Sequence, residues 1–198
     1  MNIEHYLKYI DCKEKGLKQE ATKCLRLFIT SFENSDEIDK WVWEYLPNLS
    51  AKSYLRIRHE IFHELVLPVL KAGYQRGDIN CTLWLGKLIQ NIYEAPKVHE
   101  DLGWVTAIEL FGKCNDLAPN HDEARHLLLQ SLVSWLEYTE HEWPRGILYE
   151  NDGATLEQVD EISLEVQRVL MLDHEHQYRE FIKQYNKKLI EYRARLSK

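Results

Sequence analysis

Eight Gly and five Pro in 198 residues leave too little turn-forming material for a many-stranded fold. No apolar run exceeds six residues, and the longest, residues 65–70, contains Pro68, so no segment reads as a membrane-spanning helix. The opening residues MNIEHYLKYIDCKEKG lack the apolar core of a signal peptide, and a soluble, cytoplasmic chain is expected. Cys12, Cys24, Cys81 and Cys114 form no C-x-x-C pair, which argues against a zinc or redox motif and leaves them as small apolar side chains. The sequons at Asn48 and Asn80 are then irrelevant. There is no G-x-S-x-G, no phosphate-binding glycine loop, and no Cys with a convincing His partner nearby in sequence. A chain without catalysis or cofactor is expected.

What is present points to helices. A chain of 198 residues fits one domain, residues 1–198, that removes roughly 70% of its unfolded surface from water. Six Trp, eleven Tyr and five Phe supply an aromatic-rich interior.

Helical spacing places short helices over residues 3–10 and 17–32, the second carrying Ala21, Cys24, Leu25, Phe28 and Phe32. Asn34 to Asp36 offers a cap for a helix with Ile38, Trp41, Val42 and Tyr45. Ser50 is expected to cap a longer segment to about Ala72, kinked or broken at Pro68. Asp78 starts a helix to about Glu94, followed by a loop around Pro96, and the next helix runs over residues 102–115. Another runs from Asp122 to about Glu140. Residues 141–153, HEWPRGILYENDG, are the least helical passage. Thr155 to Gln158 forms a capping box for a helix with Leu156, Val159, Ile162, Val166, Val169 and Leu170. Asp173 caps the last helix, whose stripe is Tyr178, Phe181, Ile182, Tyr185, Leu189, Tyr192 and Leu196.

In residues 107–132 one turn joins two helices. Ala107 and Cys114 let the axes approach, Phe111 fills the groove, and Pro119 cannot continue the ladder because it lacks an N–H. Together with Leu85-Gly86 and Ile89, this spacing resembles the tetratricopeptide repeat or its longer SEL-type relative over residues 73–132. Thr82 and Ile89 replace the family's Trp and Tyr, and the interval from Gly86 to Ala107 is about nine residues longer than the plain repeat. The resemblance implies stacked antiparallel helix pairs, a tetratricopeptide-like superhelix with a concave peptide-binding surface.

His59-Glu60-Ile61-Phe62-His63 is a literal H-E-x-x-H, which puts two imidazoles one helical turn apart with a carboxylate between them. The residue after the second His is the charged Glu64, no strand is at hand to align a substrate, and His99, Glu94 and Glu100 stand at no diagnostic spacing for a third ligand. No metal site is expected, and a zinc hydrolase remains a remote alternative.

Residues 1–100 hold 14 basic and 14 acidic side chains, residues 101–175 hold 4 and 16, and residues 176–198 hold 7 and 2. The strongly acidic stretch has the wrong sign for the phosphate backbone, so nucleic acid is not expected as a direct partner. A basic protein is. Glu137, Glu140, Glu142, Glu150 and Asp152 cluster around Trp143 and Tyr149, with Arg145 as the only basic residue in that stretch. These seven are the expected partner-binding residues, the rings supplying energy and the acids steering.

The expected function is therefore protein binding. Its most concrete form is a small acidic inhibitor that neutralises a basic toxin nuclease domain, similar to bacterial immunity proteins in size, acidity and helical build. The alternative is a peptide-binding adaptor or chaperone of tetratricopeptide type.

Overall fold

Asn2 and Asn34 start the first and third helices in the same way. The Asn2 side chain accepts the Glu4 N–H at 3.0 Å and Asn34 accepts that of Glu37 at 3.0 Å, satisfying donors that a helix N-terminus leaves open. The structure, a computed structural model, describes residues 1–49 and 57–197; the start expected at Ser50 lies outside them. Apart from one small hairpin, the regular structure of the described residues is helical, and the chain is all-α. None of their helices is long and apolar enough to cross a membrane. The contacts fall into two compact units, Met1–Val105 and Thr106–Lys198, each described by itself.

The first unit begins with α1 (Ile3–Glu14) and α2 (Lys18–Ile29), a helical hairpin. Helix α1 continues past the expected stop at Ile10 because Cys12 joins Tyr9 on its buried face. It ends at Gly16, whose φ of +73° suits a residue without Cβ, and the Leu17 N–H closes the turn on the Cys12 carbonyl at 2.9 Å. Trp41 of α3 (Ser35–Tyr45) stacks on Tyr45 at 4.6 Å and meets Phe28 edge-on at 5.2 Å, so the expected aromatic interior is present here.

The interruption expected at Pro68 takes the form of a change of helix type just before it. A turn of α-helix, α4 (His59–Ile61), widens into a π-turn at Phe62–Val66 and returns to α-geometry in α5 (Leu67–Gln75). The extra residue per turn lets Pro68, with no N–H to donate, sit in the first turn of the resumed helix. Asp78 caps α6 (Ile79–Lys87) through the Cys81 N–H at 2.9 Å. The run to Glu94 is not continuous: Leu88, at φ −98° and ψ 19°, separates α6 from α7 (Ile89–Tyr93). Pro96 opens a helix, α8 (Pro96–Asp101), where a loop was expected, because the first helical turn needs no N–H from it. Buried Asn91 accepts the Ile57 N–H at 3.1 Å and donates to the Ile57 carbonyl at 2.8 Å.

The first helix of the second unit begins later than the apolar spacing suggests, at Ala107 rather than Leu102. Thr106 and Glu109 form a reciprocal capping box for α9 (Ala107–Leu117). The turn at Pro119 leads into α10 (Asp122–Thr139), and the two helices pack as a pair with Ala107, Phe111 and Cys114 buried. The expected capping box is present in full at α11 (Leu156–Leu172), with Thr155 N–H to Gln158 at 2.9 Å and Gln158 N–H to Thr155 at 3.3 Å. Asp173 accepts the N–H groups of Gln177 and Tyr178 just ahead of α12 (Arg179–Leu196). The α11 stripe is narrower than the sequence pattern: Val159, Ile162, Val166 and Val169 are buried, but Leu156 and Leu170 are 41% and 48% exposed. All four cysteines are buried and free, as small apolar side chains would be.

Candidate protein-binding surface

Residues 141–153 are a packed connection. Ile147 is fully buried and its carbonyl accepts the Ala154 N–H at 2.8 Å. A two-strand hairpin, β1 (Leu148–Tyr149) and β2 (Asp152–Gly153), ends in a two-residue turn. Glu150 occupies the first turn position at φ +56°, a backbone region that a side chain enters at a cost. Its carbonyl accepts the Tyr138 hydroxyl at 3.1 Å. The Tyr192 hydroxyl reaches the Ala154 carbonyl at 3.0 Å.

The seven expected partner residues divide. Glu140, Glu142 and Trp143 lie at the foot of α10, and α12 supplies basic neighbours that sequence proximity does not show. The Lys188 ammonium donates to Glu140 at 2.6 Å. The Arg195 guanidinium lies 4.7 Å from the Trp143 ring centroid and donates to the Pro144 carbonyl at 2.6 Å. Glu142 has Arg145 at 3.9 Å. These side chains are half-buried and engaged. Glu137, Glu150 and Asp152 are exposed.

Tyr149 belongs to a second arrangement. Its hydroxyl donates to Glu161 of α11 at 2.6 Å, and its ring meets Trp135 of α10 edge-on at 6.3 Å. The bond to Glu161 pushes the phenol pKa up; burial and the charges of Glu161, Glu150 and Glu165 act in the same direction. Beside the Tyr149 ring is a cleft of about 360 Å³ lined by Ile108, Leu132, Trp135, Tyr149, Glu161, Leu164 and Glu165. Leu164 is 65% exposed. Sequence reasoning missed Trp135, Glu161, Leu164 and Glu165 because they sit on regular helices. The available signal was Leu164, which departs from the apolar stripe of α11 and faces water.

In the first unit, the His59 and His63 ring centroids are 4.0 Å apart. Arg58 grips Glu60 with a two-pronged bond, Nε at 2.9 Å and Nη2 at 3.0 Å, which holds that carboxyl below its ordinary pKa. The group that would serve as a base is thereby engaged. Nε2 of His63 is buried without a hydrogen bond, and burial, with the neighbouring His59, lowers the His63 pKa. Among the described residues no three His, Cys, Asp or Glu side chains converge into a metal-binding group. A further cleft, about 440 Å³, has Ile38 from α3 and Pro68, Val69 and Ala72 from α5 in its lining.

No protein-family model, curated protein or solved structure matches this chain.

Proposed function

We propose that this protein is a non-catalytic binding module whose partner is a basic protein, held by the surface around Tyr149. The observation that carries the reading is the Tyr149–Glu161 hydrogen bond beside the Trp135 ring, with Glu165 in the lining of the same cleft. Aromatic rings contribute contact energy at low entropic cost, and surrounding carboxylates raise the association rate of a cationic partner. Glu150 strengthens the case. Glycine would relieve the turn, yet the position carries a charged, exposed side chain, and strain retained at a surface residue is a recurring mark of a working site. The most concrete version is a cytoplasmic acidic inhibitor, similar to immunity proteins, that neutralises a toxin nuclease domain by covering its basic surface. Nucleic acid and membrane do not enter this reading.

A second reading is a tetratricopeptide-like stack acting as a peptide-binding adaptor. It is favoured by the α3 and α5 cleft, whose lining sets Ile38, Pro68, Val69 and Ala72 beside the charged Asp36, Asp39, Lys40, Glu64 and Arg76, and whose volume falls within the roughly 300–1,000 Å³ of ligand pockets. Capture from the source cell with wild type and with Glu150→Lys/Asp152→Lys separates the two. The inhibitor reading expects a basic protein on wild type, with slower, less salt-dependent association for the double variant. Retention by that variant, together with loss on Val69→Glu, would transfer the function to the α3 and α5 cleft.

A further inference from the structure

Leu164 follows Ile162 of the buried α11 stripe by two positions, which turns it about 200° around the helix, and it is 65% exposed. A single exposed leucine is ordinary, whereas one that continues a concave apolar surface marks a place where something binds. Leu164 shares the lining of the Tyr149 cleft with Ile108, Leu132 and Trp135. The aromatic wall of that cleft is preformed. Tyr149 is anchored through its hydroxyl to Glu161 at 2.6 Å and stands edge-on to Trp135 at 6.3 Å, so a ligand does not bear the entropy of ordering these rings.

The charge of the rim selects the occupant. In this unit Lys188 engages Glu140, Arg145 engages Glu142, Arg193 engages Asp160 and Arg168 faces Glu165. Glu165 is therefore closed to a ligand, its Oε2 being buried beside that guanidinium. Among the described residues no ion pair engages Glu150, Glu157 or Glu161, and all three are exposed. Glu157 and Glu161 are four apart and share one face of α11, and the Glu150 charge acts on the Tyr149 hydroxyl. Apolar walls under a negative rim match an apolar side chain flanked by cations: the anchor leaves water, while the charges stay at the surface and steer. The cleft lies near the small end of ligand pockets, which suits one inserted side chain.

We propose that this cleft receives one apolar anchor side chain from a basic segment of the protein partner, seated against Trp135 and Leu164 with its cationic neighbours at the rim. The assignment rests on the basic-partner reading.

The test uses the intact chain and three pentapeptide amides: acetyl-Lys-Lys-Leu-Lys-Lys, a version with Gly in place of Leu, and a version with Gln in place of every Lys. Each is titrated while the Trp135 indole resonance is followed. The expected result is a saturable shift with the first peptide, at least about tenfold weaker binding of the glycine peptide, which lacks the anchor, and about fivefold weaker binding of the glutamine peptide. Leu164→Gln, at a side chain already exposed, should weaken the leucine peptide about threefold while leaving the glycine peptide and the circular dichroism spectrum unchanged. An unmoved Trp135 resonance, or equal binding of the glycine peptide, overturns the proposal; the basic-partner reading survives that result if Glu150→Lys/Asp152→Lys still slows capture of a basic protein. Equal binding of the glutamine peptide overturns the proposed occupant and the basic-partner reading together. Self-association of the intact chain in sedimentation, abolished by Leu164→Gln, would make this face an interface between copies and overturn the proposal as well.

Discussion

Lys188 and Glu140, 48 residues apart in sequence, meet at 2.6 Å, each side chain less than a third exposed. The contact ties the end of α10 to α12 and decides which acids are available to a partner. Glu140 is a tether and Glu150 is not.

Charge reversal at these two positions should therefore separate stability from binding. Glu140→Lys places two ammonium groups together and should lower stability by about 1 kcal/mol, read as a shift in the urea midpoint. Glu150→Lys should leave that midpoint within about 0.5 kcal/mol and act on association rate. Equal stability losses would show that the hairpin acids are structural too.

Glu150→Gly removes the side chain from the left-handed turn position and should stabilise the second unit by about 0.5–1 kcal/mol. The same change should slow capture of a basic partner. A variant that is more stable and binds unchanged would place Glu150 outside the working surface.

A Cβ added at Gly73 would lie 2.1 Å from the Cys81 sulfur and 2.8 Å from the Cys81 Cβ. Gly73→Ala should cost about 1–3 kcal/mol by overpacking. Adding Cys81→Ala should restore only part of this, since the Cβ contact remains. Full restoration in thermal unfolding would show that the sulfur alone sets the spacing of α5 and α6.

The His63 pKa lies below its ordinary 6.5, through burial first and the neighbouring His59 second. Above pH 6.5 the ring is neutral both folded and unfolded. Below it the unfolded chain takes up the proton more readily, so stability should fall as pH drops through the lowered folded value. His63→Leu should reduce this acid-side slope of the urea midpoint while leaving it nearly flat above pH 7. An unchanged slope would assign the effect to other groups.

Caps and stops were legible in the sequence wherever their chemistry is local. Asn34, Asp78 and the Thr155/Gln158 box begin helices as side-chain oxygens near open N–H groups should, and the four buried free thiols reflect a spacing without pairs. All-α architecture was likewise set by composition and period, because one buried face per helix is written in residues three and four apart. Tertiary structure decided the rest. A π-turn before Pro68 depends on how a whole segment packs, and the exposure of Leu164 depends on which side of α11 its neighbours cover. Arg195 on Trp143, Lys188 on Glu140 and Glu161 on Tyr149 are meetings of residues 12 to 52 positions apart. Sequence spacing carries the direction of a side chain from its own helix; only packing brings a second helix to it, and charges that look unopposed along the chain are neutralised across space.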